Sequence, residues 1–446
     1  MEKIKKIFFP ILISIMLLTP ILNLPLTTFF KSLDIYVNIF FIFFILYTFF
    51  IQKKINKYFL KIIFALLILI IYLIILELIF QLKDYSAISF LFRSIITIIS
   101  SYSCAYILSN LYKNSSISYF GKIIFICSII QGFVIWVSFL SNPFRDFMSF
   151  FFYRDFSNEN QHLIMLRVPG FVDSGGDGLS MNHGLLCVVG FISMLTMKKA
   201  KSAFRVLPFV AIFSAIACLF TGRTGLYMSL FLIILSISLY KNGKFSIFNL
   251  SRFILIIFIV FSVFVFFANA LGDYGTELKN EYGFEHPVVR FLKGFMNFSS
   301  GEIDSYQDDT IIALTTDHVV FPNTFLRFIF GNNSFGTAND PIPSDVGYIK
   351  YLHGMGFIGL FYILSFFILC YLFIKKFLNK ITINFYLNNN INYLIIIVLL
   401  YGFIGHYKIY YLTSRVFLFI FFTYLFMIYN MSKSEKNTNT QNYLLN

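Results

Sequence analysis

Long apolar runs, many with no charge inside, recur along the whole of this 446-residue chain. A bilayer requires about 20 apolar residues per spanning helix. A soluble domain has no core large enough to bury so many runs of that length. Charged residues make up only 13% of the sequence and hydrophobic ones 58%, against roughly 25% charged in an ordinary soluble domain. The chain therefore reads as an all-α, polytopic integral membrane protein forming a single membrane domain. This excludes a secreted enzyme, a soluble dinucleotide-binding enzyme, and an outer-membrane barrel, whose strands would alternate polar and apolar residues. About twelve spans are expected, near 7–25, 35–51, 62–81, 86–109, 123–141, 179–197, 204–220, 226–240, 253–271, 355–374, 391–406 and 411–430.

The loops set the orientation. Lys and Arg favour the cytoplasmic side of short loops. With the N-terminus inside, the short inner segments carry Lys53, Lys54, Lys57 and Lys61, then Lys113 and Lys122, then Lys198, Lys199, Lys201 and Arg205, then Lys241, Lys244 and Arg252, and finally Lys375, Lys376 and Lys380. Both termini are then cytoplasmic. The formal charge of +14 reflects this topology and not a nucleic-acid partner. Lys3, Lys5 and Lys6 precede an apolar run with no small-residue cleavage site after it, which reads as an uncleaved first span. Two long loops remain on the opposite face, at 142–178 and 272–345. Loops of that length are usually functional or disordered. The aromatic content of the second predicts that it folds.

Metal and nucleotide chemistry find no support. The five cysteines (Cys104, Cys127, Cys187, Cys218 and Cys370) all lie in apolar runs without metal-ligand spacing and read as packing residues. There is no Asp-x-Asp, no P-loop and no Gly-x-Gly-x-x-Gly, so neither metal nor cofactor is expected.

The outward segments concentrate polar chemistry instead. Arg167 precedes a turn containing Gly175, Gly176 and Gly178, followed by Asn182 and His183 at a span entry. Glycines let backbone amides approach an anion, and arginine adds a planar fork for phosphate. The bland alternative is an interfacial turn with a snorkelling arginine. Polar residues at membrane depth face the bundle interior, where His183 serves as a hydrogen-bonded packing residue or as a catalyst. Arg223 lies between Gly222 and Gly225 in a short turn joining two spans, as an interface anchor or at the level of a lipid-linked diphosphate. The second loop offers Arg290, His318 and Arg327, for acidic or phosphate groups and for general-base work. Asp345, Tyr348 and Leu352 share one helical face ahead of Gly356 and Gly359. Asp345 reads as a catalytic carboxylate or as a helix cap. Glu77 and Arg93, in neighbouring spans, are expected to pair.

In order, these features resemble the bacterial O-antigen polymerase (Wzy) family, which is related to the O-antigen ligases: Arg167 to Gly178, Thr221-Gly222-Arg223-Thr224-Gly225, a large late outer loop, and Ser344-Asp345 leading to Gly356-Phe357-Ile358-Gly359. Ligases of this group carry a histidine where Asp345 stands here, which directs the resemblance to the polymerases. It implies transfer of a growing glycan from undecaprenyl diphosphate onto a new undecaprenyl-diphosphate-linked repeat unit, at the outer face of the inner membrane and without metal. The implied roles are Arg223 and Arg167 on the diphosphate and Asp345 or His318 at the acceptor hydroxyl. Arg290, Arg327, Tyr348, Asn182 and His183 are supporting contacts to substrate. A chain-length regulator and a flippase are the implied partners. Ligase and flippase activities are the alternatives.

Overall fold

The computed structural model describes residues 16–17, 19–22, 33–50, 56–80, 85–151, 177–195, 206–241, 244–245, 318–335, 344, 346–381, 385–409 and 411–444. The expected span at 253–271, and most of those at 7–25 and of the loop at 272–345, lie outside them. Every other expected span coincides with helix: α1 (Leu33–Phe50), α2 (Lys57–Phe80), α3 (Ser86–Tyr112), α4 (Ser116–Leu140), α6 (Asp177–Leu195), α7 (Leu207–Ile216, extended by a 3-10 turn to Phe220), α8 (Arg223–Leu239), α10 (Gly347–Leu378), α11 (Phe385–Lys408) and α12 (Arg415–Leu444). Two shorter helices flank them, α5 (Asn142–Phe151) and α9 (Phe325–Phe330), and a minimal hairpin pairs Tyr240–Lys241 with Lys244–Phe245. Among the described residues, 7 helices are long and apolar enough to cross a membrane. The protein is a polytopic α-helical membrane protein.

The chain divides into two compact units, one of Met1–Ile21, Asp34–Phe120 and Leu314–Asn446, the other of Leu22–Leu33 and Gly121–Ala313. In the first, small residues on α3 admit close helix approach, the usual basis of packing in lipid where no hydrophobic drive exists between helices. Ser100 Oγ donates to Asn38 Oδ1 of α1 at 2.6 Å and Ser103 Oγ to the Phe41 carbonyl at 2.9 Å. Aromatic rings then lock α2, α3 and α12. Phe59 stacks on Tyr102 at 4.4 Å, and Phe426 meets Tyr102 edge-on at 5.1 Å. These geometries add to simple burial.

The second unit packs α4, α6, α7 and α8. Trp136 stacks on Phe213 at 5.2 Å and Phe139 on Phe220 at 4.0 Å. The first long loop opens with α5. Its Arg145 reaches back to donate to the Ser138 carbonyl at 3.1 Å and the Phe139 carbonyl at 3.4 Å, satisfying carbonyls that α4 leaves without intrahelical donors.

Candidate functional site

In the second unit, α6 and α8 run parallel and are tied together at both ends. At one end Ser180 Oγ donates to the Gly222 carbonyl and accepts from the Gly225 amide, the latter at 3.1 Å. At the other, Tyr240 Oη donates to the Leu195 carbonyl at 2.9 Å. The N-cap of α8 is Gly222, which has no side chain to cap with. Ser180 of the neighbouring helix performs that service. The contact is backbone-close: a Cβ on Gly225 would overlap the Ser180 carbonyl. Glycine at 225 is therefore a condition of the arrangement.

Parallel packing brings two helix N-termini side by side. Each carries the positive end of a helix dipole and first-turn amides without intrahelical acceptors. Arg223 is the first residue of α8. Paired helix N-termini of this kind suit an anion.

Asn182 and His183 stand in the first two turns of α6, below Ser180. His183 Nε2 donates to the Ser214 carbonyl of α7 at 2.7 Å. Ser214 Oγ in turn donates to the Ser128 carbonyl of α4 at 2.8 Å, and Cys187 Sγ to Ser214 Oγ at 3.4 Å. That donation fixes the His183 tautomer and leaves Nδ1 as an acceptor. His183 Nδ1 and Asn182 Oδ1 are both buried without a hydrogen-bond partner among the described residues. Gly132 lets α4 approach, since a Cβ there would meet Ser214 Oγ at 2.8 Å and the His183 ring at 3.4 Å.

In the first unit, α10 begins at Gly347 with Val346 as its N-cap, and Ser344 Oγ accepts from the Val346 amide at 3.1 Å while donating to the His318 carbonyl at 2.6 Å. The N-cap position thus falls one residue beyond the one the sequence offered to Asp345. Tyr348 Oη donates to the Phe403 carbonyl of α11 at 2.7 Å, committing the phenol to helix packing. His406 lies edge-on between Tyr348 and Tyr351, at 4.6 and 4.4 Å, and accepts from the Leu412 amide at 3.4 Å. His353, which sequence reading passed over, bonds through Nε2 to the Val320 carbonyl at 2.7 Å.

Of the remaining sequence candidates, Arg167, Arg290 and Asp345 lie outside the described residues. His318 is half-buried at a turn, and Arg327 is exposed on α9. Glu77 is buried and accepts from Asn333 Nδ2 at 3.2 Å, whereas Arg93 is exposed. Asn333 therefore partners the carboxylate for which the sequence nominated Arg93. Ser180, Ser214 and Asn333 were missed because their partners are remote in sequence, beyond any helical period. The Gly331-Asn332-Asn333 run was a legible turn signal. Among the described residues no three His, Cys, Asp or Glu side chains are grouped to hold a metal. No family model matches the chain, and no curated protein or solved structure is significantly similar to it.

Proposed function

We propose that the chain is a membrane-embedded glycosyltransferase, a surface-polysaccharide polymerase that moves a growing glycan from undecaprenyl diphosphate onto a new lipid-linked repeat unit. The observation that carries this reading is the pair of parallel helix N-termini, α6 and α8, with Arg223 as the first residue of α8. Glycosyl transfer from a lipid diphosphate leaves negative charge on the departing phosphate. Fixed dipoles and a guanidinium stabilise that charge without having to reorganise during the reaction. The planar fork of arginine engages two phosphate oxygens at once. Arg167, from the segment that leads into α6, is the second arginine of this proposal.

The acceptor hydroxyl has to be oriented and relieved of a proton. Asp345 and His318 are the proposed bases. Asn182 and His183, whose Oδ1 and Nδ1 are buried without a hydrogen-bond partner among the described residues, are the proposed contacts to sugar hydroxyls. The proposed setting is the bacterial inner membrane with both termini cytoplasmic, alongside a flippase and a chain-length regulator. Deleting the gene and separating the surface glycan on a gel tests the reading. A polymerase deletion leaves core bearing a single repeat unit. Retention of long lipid-linked polymer indicates a ligase, and accumulation of single units inside the cell indicates a flippase. Either of those two results would overturn the proposal.

A further inference from the structure

The chain entering α10 does not approach from water alone. Asn333 Nδ2 donates to the Leu73 carbonyl at 3.5 Å and to Glu77 Oε2 at 3.2 Å, and Tyr72 Oη donates to the Phe330 and Met355 carbonyls at 3.0 and 3.2 Å. Residues 330–333 therefore run beside the last turns of α2, a helix of 24 residues that ends at Phe80. Such a helix is about 36 Å long, against a hydrocarbon core of about 30 Å. Leu73 stands about 10 Å below its end. Even if all the excess length projected from that end, the Leu73 carbonyl would lie within the apolar layer.

The backbone is prepared for that depth. Irregular chain is tolerated there only when protein satisfies its polar groups. The Asn332 amide donates to the His353 carbonyl at 2.6 Å, the Asn333 amide to the Gly354 carbonyl at 2.8 Å, and the Gly331 amide to the Arg327 carbonyl at 2.8 Å. Gly331 and Gly356, at φ 81 and 68°, break the chain so that the two strands of this exchange can meet. Tyr72 covers a carbonyl on each side of the break.

The side chains of α9 point the same way. None is buried; Phe325 is 78% exposed and Leu326 58%. Such a patch in water normally marks an interface. Here it is continuous with a lipid-facing surface. Phe328 stacks on Phe357 at 6.2 Å, and Phe357 and Phe361 are exposed on α10 beyond its break, on a helix apolar enough to span. Arg327 lies about 200° around the helix from Phe325, as an interfacial helix requires.

We propose that residues 321–333 form a re-entrant foot, with α9 seated among the acyl chains of the leaflet where α2 ends and Arg327 reaching the level of the lipid phosphates. The proposal is independent of the glycosyltransferase reading. It reassigns to the membrane a stretch that hydropathy places in a loop.

The chain has one tryptophan, Trp136, which allows a direct test on the full-length protein. In a Trp136→Phe background, Phe325→Trp is reconstituted in phosphatidylcholine vesicles, ordinary or brominated on the acyl chain, with Phe361→Trp as the lipid-facing reference. The expected result is quenching by bromine as deep as that of the reference, with little quenching by aqueous acrylamide. Leu326→Trp repeats the measurement should Phe325→Trp fail to reconstitute. Emission that bromine leaves unchanged and acrylamide quenches freely, at the position that reconstitutes, overturns the proposal.

Discussion

Gly225 has no space for a methyl group, because the atom it would strike is the main-chain carbonyl of Ser180 and not a side chain that can swing away. Alanine improves helix propensity by up to about 1 kcal/mol, but overpacking against fixed backbone costs about 1–3 kcal/mol. Gly225→Ala is expected to lower the melting temperature of the purified protein in detergent, because α6 and α8 must separate. The sequence showed a glycine flanking an arginine and read it as a turn. The tight contact was not legible, because Ser180 is 45 residues away and helical periodicity reports only neighbours within a turn or two. Asp345 gives a second residue-scale test. The N-cap position is Val346, so capping does not account for Asp345, and without a chemical role Asp345→Asn would behave as wild type. A base is abolished by the amide, so Asp345→Asn is expected to lose polymer at matched membrane levels. Wild-type glycan from that variant would remove Asp345 from the chemistry.

Among the elements, α10 departs furthest from what hydropathy implied. Its span was expected from 355, but the helix begins at Gly347 and is broken at Gly356. Hydropathy registers the length that crosses lipid, whereas the preceding turns are held by contacts: Tyr348 on Phe403, Tyr351 Oη with Thr413 Oγ1, His353 on Val320. Small residues in membrane helices commonly serve close helix packing. Gly356 has a different role. Its φ of 68° and ψ of -178° lie in a region essentially confined to glycine, where another residue costs about 1–3 kcal/mol, and a Cβ there would overlap the Ile329 carbonyl. Gly356→Ala is therefore expected to reduce folded protein well beyond the effect of Tyr72→Phe, which removes one hydroxyl and leaves two carbonyls to find other donors. Size-exclusion yield in detergent compares the two. Equal yields would mean that the break is not needed. The paired helices α6 and α8 are the opposite case: both were legible as apolar segments, and only their parallel pairing through Ser180 and Tyr240 required the structure.

For the molecule as a whole, the apolar runs were sufficient to give the class, since no other architecture accommodates helices such as α2, α10 and α12 in one chain. Orientation rests on basic short loops alone. Reporter fusions at Lys199 and near Gly301 test it, with activity of a cytoplasmic reporter expected at Lys199 and absent at Gly301; the reverse would overturn the topology and the outward-facing chemistry with it. The proposed function was read only from an order of short motifs, because the groups that support it are single residues drawn from separated segments. The proposed role of Arg223, the first residue of α8, is to stabilise the negative charge of the departing diphosphate. The most direct measurement is the glycan ladder of a deletion strain complemented with Arg223→Ala or Arg223→Lys, at membrane levels matched to wild type. Single-repeat product is expected from Arg223→Ala and only weak recovery in Arg223→Lys, because lysine keeps the charge but lacks the planar fork. A full-length ladder from Arg223→Ala would contradict the proposed role.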